Sequence, residues 1–598
     1  MKRYIGSIIV LLPLLITGCK GSKDKGDNVD FTKTSMTAYH YSPKKKISIE
    51  AFYRDDKFKN IPHISLKNYY NLLTSKEMEI KKVSAGQYEV KANNETATIN
   101  TLQDTIVCND FEKFISTTVY RQEGVDNVYF DGAPFLKVES VKHETAPKQK
   151  TINFKKYGID MVGKDDDIIL PVVAASNLFT GPTMITSFCT NKTLYFIDPN
   201  DSNYETSSYC FDQKAQSEIL GNFKNGRRSA DQAKLSYGSL CFLIDTFYGL
   251  PGREYLHDDL VNNRDLDSVL SNKSDMTKKA KEFLSSQDEY EYFAGLDMLD
   301  AFLSDAGHSV VSLGERYLRA YSETLNNKVI KVLNSIKFNS YNYSAKRNYD
   351  GNYYVSIDSA YQEANIPNNS YIRVGDTLVY RFDSFMFDLN GWIEHYKDPD
   401  HVSIPNDGLY NFKKMLDDNE NDLTIKNIVL DISMNGGGFG DMVAAMMGLM
   451  TGKTYEHSRD MVGENIVTTT YAFDANFDGK FDEADKNVSY HYNYAILSSA
   501  LSFSCGNLLP AEAKDNGIML LGDKSGGGSC AVVDSTTGEG LYVRLSCQNH
   551  FVTNDNQEVE MGVEPHEKLV KVEGEEYDFS KFYDFSYISE LMNEFYSH

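Results

Sequence analysis

Three short apolar runs in the last third of the chain constrain its fold more than any other feature: 425–432 (IKNIVLDI), 494–499 (YAILSS) and 517–523 (GIMLLGD). Each has the length of one strand, and none shows the strict apolar–polar alternation of a half-exposed strand. Each breaks into a loop rich in glycine or serine, and an apolar helix, MVAAMMGLM (442–450), follows the first. Buried strands alternating with helices predict a parallel sheet, because parallel neighbours need a crossover of helical length. They also put any site in the loops at the carboxyl ends of the strands.

The rest of the chain reads differently. Residues 46–205 alternate strand-like and short helical stretches and carry a weak internal repeat: Ile61-Pro62 is followed by Asn68-Tyr69-Tyr70, and Leu170-Pro171 at the same distance by Asn177-Leu178-Phe179. A hairpin pattern follows each copy. Loosely, this resembles the α/β stalk-type domain at the front of exported enzymes such as copper amine oxidases. Residues 206–325 are helical by their three and four spacing, as in YEYFAGLDMLDAFL. A mixed connecting segment, 326–400, holds a strand pair in YIRVGDTLVYRFDSF, and 401–598 is the core. The expected class is α/β: a parallel-sheet core preceded by a helical segment and an N-terminal α+β stalk-like domain.

A net charge of -24 excludes nucleic acid as a natural partner, since phosphates want a basic face. The first eighteen residues have two basic residues and then an apolar stretch, shorter than the roughly 20 residues a membrane span needs, so they predict a secretory leader. Ile16-Thr17-Gly18-Cys19 resembles the bacterial lipobox, which implies cleavage before Cys19, a lipid on its sulfur and a membrane-anchored exported protein. Residues 19–45 begin polar and glycine-containing, the composition of a tether. Of eight cysteines Cys19 is one, so an odd number remains; no CxxC pair occurs, and neither a disulfide framework nor a zinc site is expected.

Three segments sit at the predicted strand ends: LDISMNGGGFGD (430–441), ILSSALSFSCGNLLPAEA (496–513) and LLGDKSGGGSCAV (520–532). Together they resemble the core of the tail-specific and tricorn-like serine peptidases over about residues 290–570. No peptide-binding PDZ loop is seen in 326–400. The resemblance implies a peptide or protein substrate, a nucleophile at Ser504 and no catalytic cofactor. A serine at the first turn of a helix stands among backbone N–H groups that favour negative charge. The N–H of Cys505 and one from Gly436, Gly437 or Gly438 are the expected oxyanion hole, each donor contributing about 2.7–4 kcal/mol.

A serine hydroxyl needs a base. Tail-specific relatives take a lysine from the third segment, but Gly528 stands at that place, with Lys524 close by. The tricorn and interphotoreceptor-retinoid-binding-protein branch takes a histidine from the segment before the core; AFLSDAGHSVV (301–311) makes His308 the match, with Gly307 where tricorn has serine. A base near the ordinary imidazole pKa of about 6.5 would give activity rising through about pH 6–7. In EVEMGVEPH (558–566), Glu560 and then Glu564 match the acid that holds the histidine.

Apart from this, DANFDGKFDEAD (474–485) sets Asp474, Asn476, Asp478, the Lys480 carbonyl, Asp482 and Asp485 at the spacing of an EF-hand or dockerin loop, with Gly479 at the sharp turn. Hard oxygen ligands in that pattern predict a structural calcium ion bracing a hairpin that leads to Ser504. Two other readings stand beside the peptidase: a silent peptide- or ligand-binding lipoprotein of the same fold, and an α/β-hydrolase esterase with Ser504 in a serine-substituted elbow and His550 or His566 as base.

Overall fold

The computed structural model describes residues 29–40, 46–74, 76–115, 133–179, 186–190, 193–197 and, apart from 220, 222, 224–225, 321, 462–464 and 575, residues 217–597. The leader, Cys19 and Cys210 lie outside the described residues. The tether ends earlier than expected: Phe31–His40 is a strand, antiparallel to Lys46–Arg54 and parallel to Thr193–Ile197. The end of the strand explains this, since Met36 and Ala38 on one face are buried while Ser35 and Thr37 on the other are exposed.

The internal repeat has a structural counterpart. Strand His63–Ser65 runs into helix Leu66–Thr74, and strand Asp167–Pro171 into helix Val172–Leu178. The two strands pair antiparallel, Leu170 opposite Ile64 and Pro171 opposite His63, and the ring of Phe179 meets Tyr70 at 5.5 Å. After the second copy the hairpin returns to the same seven-stranded sheet; after the first it starts a separate five-stranded meander.

The helical segment is locked to the core by a fully buried pair, Arg228 to Glu539 at 2.7 Å, with Ser236 and Tyr292 also donating to that carboxylate. A buried charge pair is tolerated when its remaining lone pairs are filled in this way.

The core sheet runs Ser370–Val374, Thr377–Arg381, Asn427–Asp431, Asn493–Ser498, Met519–Gly522, Glu567–Lys568. The first pair is antiparallel and all later neighbours are parallel. Asn427–Asp431 and Met519–Gly522 are buried along their whole length, which is why they read as unbroken apolar runs. The segment 326–400 is therefore no mere connection, because its strand pair opens the core sheet.

A further five-stranded sheet flanks the site, in the order Cys530–Thr536, Tyr542–Phe551, Tyr455–Asp460, Asn465–Phe473, Leu136–His143. Its last strand comes from the N-terminal half. The flanks of the acidic loop do not form the expected hairpin: Asn465–Phe473 belongs to this sheet and Asn493–Ser498 to the core.

Candidate active site

Strand Asn493–Ser498 ends in a loop fastened to its parallel neighbour. The Ser499 hydroxyl donates to Ser433 O at 2.5 Å, that of Ser502 to Ile432 O at 2.8 Å, and Phe503 N to Asn435 O at 3.0 Å. The chain then reverses at Ser504, with φ 58° and ψ −121°. A non-glycine residue held there costs about 1–3 kcal/mol and persists only where its surroundings enforce it. Here Ser504 N donates to Gly527 O at 2.9 Å, and Ser504 O accepts from Asn507 and Leu508 as helix Cys505–Asp515 begins. The result is a sharp strand-to-helix elbow that leaves Ser504 partly exposed.

The glycine loop is pressed against this elbow. A Cβ on Gly437 would lie 2.6 Å from Ser504 Cβ and 3.1 Å from Cys505 N, so only glycine permits the approach. Gly437 itself is not an oxyanion donor as expected: its N–H is spent on Asn435 Oδ1 at 2.9 Å. The N–H groups of Cys505, Gly436 and Gly438 have no partner among the described residues and remain the available donors. Asn435, overlooked in the NGGG pattern, shapes the loop, accepting from Gly437 and donating to Phe382 O.

His308 lies in the turn between helices Glu289–Leu303 and Leu313–Ala320. The buried carboxylate of Asp305 builds that turn by accepting the N–H groups of Gly307, His308 and Ser309 and the hydroxyls of Ser309 and Ser546. Val310 and Arg544 exchange two backbone bonds, which fixes the turn to strand Tyr542–Phe551. The His308 ring packs 4.8 Å from that of Phe503. A Cβ on Gly307 would lie 1.9 Å from the Phe503 ring, so a serine before the histidine has no room. The ring nitrogens of His308 carry no hydrogen bond among the described residues, and Ser504 is not joined to it directly. Burial lowers its pKa to about 4; Asp305 opposes this, and Arg544 and Arg347 add to it. The imidazole is thus neutral near pH 7, the form a base needs.

The two glutamates expected to hold His308 are occupied elsewhere. Glu560 is buried and accepts from Ser529 N at 2.6 Å, Ser529 Oγ at 3.1 Å and Cys530 N at 3.2 Å, so it shapes the third glycine loop. Glu564 is exposed and pairs with Lys524 at 3.1 Å. Asp305 is the carboxylate whose charge acts on His308. Position 528 admits no lysine: its φ is +86° and a Cβ would lie 2.5 Å from the Phe503 ring. The esterase bases are likewise engaged, His550 with Glu558 at 3.0 Å and His566 with Leu520 N at 2.8 Å.

In the acidic loop, Asp474 accepts from Asp478 N and Gly479 N, Asp485 from Asn476 N and Asp482 N, Asp478 from Lys480, and Asp482 from Ala484 N. Phe477 and Gly479 supply its two left-handed positions. Burial raises Asp474 to about 6, with Asp485 and Asp478 adding to the rise. Among the described residues no group of three or more His, Cys, Asp or Glu converges to hold a metal ion. As folded here, the loop's carboxylates serve its own amides.

Comparison with known proteins bears on the core. Residues 401–569 match the family described as Peptidase family S41. No curated protein matches the chain. Among solved structures, a Parabacteroides merdae protein assigned as a peptidase is similar at 16% identity, with 60% of this chain and 96% of that one covered and a TM-score of 0.36. A lipoprotein from Streptococcus agalactiae gives 12%, 56%, 92% and 0.31. The photosystem II D1 C-terminal processing protease gives 15%, 34%, 46% and 0.24. These superpositions are loose. The match over 401–569 includes the glycine loop, the Ser504 elbow and the third loop, so over that stretch the core is similar to peptidase family S41.

Proposed function

We propose that the chain is a serine peptidase acting through a Ser504 acyl-enzyme. The observation that carries this reading is the strained elbow at Ser504, with the unpaired N–H of Cys505 beside it and Gly437 packed against it. In the proposed cycle His308 takes the Ser504 proton as Oγ attacks the substrate carbonyl. The oxyanion is met by Cys505 N–H and by the N–H of Gly436 or Gly438. The imidazolium then protonates the departing amine, and water, deprotonated by the same ring, releases the acyl group. The Ser504–His308 bond is to form when substrate binds, as catalytic bonds often tighten only in the complex. Ser504→Ala should lose hydrolysis of unfolded protein substrates with an unchanged melting temperature; retained hydrolysis sinks the reading.

The same proposal includes export and anchoring through a lipid on Cys19, supported by the leader and lipobox-like stretch. No helix among the described residues is long and apolar enough to cross a membrane. Cys19→Ala should shift the protein from the membrane to the soluble fraction; unaltered membrane association rules the anchor out. We also propose that loop 474–485 takes calcium as a brace outside the chemistry, supported by its spacing of oxygen ligands and the repulsion around Asp474.

A further inference from the structure

A group of carboxylates that the proposed chemistry does not use lies beside the glycine loop. The Cys505 thiol donates to Gly438 O at 3.1 Å. Glu512 falls two helical turns beyond Cys505 on the same face. Across from them, a Cβ on Gly440 would lie 3.3 Å from Glu456 Oε2 and 3.7 Å from the Phe551 ring. With no side chain at 440, Glu456 and Phe551 pack close against this backbone. Asp441 follows, one of its oxygens accepting from Ala133 N at 2.6 Å.

Two of these acids stand without a cation. Neither Glu456 nor Glu512 has an ion-pair partner among the described residues. Glu512 is only 6% exposed, and its Oε2 is buried without any hydrogen bond. A buried carboxylate left unsatisfied is costly, and it signals a missing partner. The group is mutually coupled: burial, then Glu456, Glu512 and Asp441, push the Cys505 thiol up, and burial and Asp441 raise Glu456 to about 8. The place also reaches the surface, because Gly436 and Gly438 are exposed and Gly440, Asp441 and Glu456 are partly so.

We infer that this place beside the glycine loop is a substrate subsite for a lysine or arginine side chain, with Glu456 and Glu512 as the specificity-determining residues. A cationic head on an extended apolar stem suits the place, since the stem passes Phe551 and the charge fills the unpaired carboxylates. The inference rests on the peptidase reading, which puts the peptide backbone at Gly436–Gly438.

The test uses pairs of peptides that differ only at one position near the cut, lysine against norleucine and arginine against citrulline. For the intact enzyme the basic peptide should be preferred in kcat/KM by about 30-fold or more, the scale for filling a buried charge. Glu456→Gln combined with Glu512→Gln should bring that ratio close to one. Binding of the same fluorescent peptides to Ser504→Ala separates the two claims. If the intact enzyme hydrolyses peptides with no basic preference, the subsite is wrong and the peptidase stands. If it hydrolyses nothing while Ser504→Ala still binds the basic peptides preferentially, the subsite stands and the peptidase reading falls. Equal binding of both members of each pair, or preference retained in the double glutamine variant, overturns the inference.

Discussion

The ring of His308 packs 4.8 Å, centroid to centroid, from the ring of Phe503, the residue immediately before Ser504. The same ring also closes off Cβ positions at Gly307 and Gly528. One aromatic side chain therefore requires glycine at both 307 and 528.

Restoring a serine at 307 should damage the enzyme. Gly307→Ser drives its Cβ into Phe503 and should cost about 1–3 kcal/mol, as overpacking does, with a matching fall in melting temperature and in kcat/KM. Trimming the ring with Phe503→Leu should recover part of that stability, so the double variant lies above the sum of the singles. Strict additivity would show that the two positions do not collide.

Burial of His308 moves the expected pH profile. Its folded pKa of about 4 lies below the ordinary imidazole value near 6.5, so the free enzyme holds the neutral base at all pH above about 4. The acid limb of kcat/KM should fall near pH 4, not at the pH 6–7 that an ordinary imidazole implies. The stability sign follows: the unfolded chain takes this proton first, so stability from neutral His308 is whole above about pH 6.5 and is lost as pH falls toward 4. A limb centred at 6.5 that disappears in His308→Ala would place the ring in open water.

At Gly437 the expectation is a loss of rate without loss of substrate affinity. Gly437→Ala puts a methyl between Ser504 and the Cys505 N–H in a backbone of φ +111°, so kcat should fall by about 10²–10³, the scale for losing one oxyanion donor. An active alanine variant would move the oxyanion hole away from Cys505.

Calcium should raise the melting temperature of chelator-treated protein, by a term of about 2.7 kcal/mol at a hundredfold excess over its Kd. Asp474, held at about 6 against an ordinary value near 4, binds its proton more tightly folded than unfolded. Without the ion, stability should therefore decline as pH rises from about 4 through 6. The calcium-induced shift should be larger at pH 7.5 than at pH 5, and Asp474→Ala with Asp478→Ala should remove it. No shift at either pH rejects the loop as a calcium site.

The core was legible because its strands are buried on both faces: 425–432 and 517–523 need no partner to announce themselves, and Ser504 is placed by local chain reversal. Long-range placement was hidden. That Leu136–His143 pairs with Asn465–Phe473, or that 370–381 opens the core sheet, depends on contacts far apart in sequence. The surroundings of Glu560 were hidden for the same reason: its place in the GVEP stretch fits an acid acting on His308 directly or through an intervening group, and one of its carboxylate oxygens accepts from Ser529 and Cys530. Asp305 was in view beside His308, but nothing local distinguishes a carboxylate that binds the ring from one that builds the turn.

Covalent labelling of Ser504 tests the central claim most directly. A fluorophosphonate probe reacts only with a serine that has both an activating base and an oxyanion hole. At neutral pH the intact protein should form a single adduct, mapped by mass spectrometry to Ser504, absent from Ser504→Ala and slowed by orders of magnitude in His308→Ala. No adduct on the intact protein, or labelling that survives in Ser504→Ala, would contradict the account.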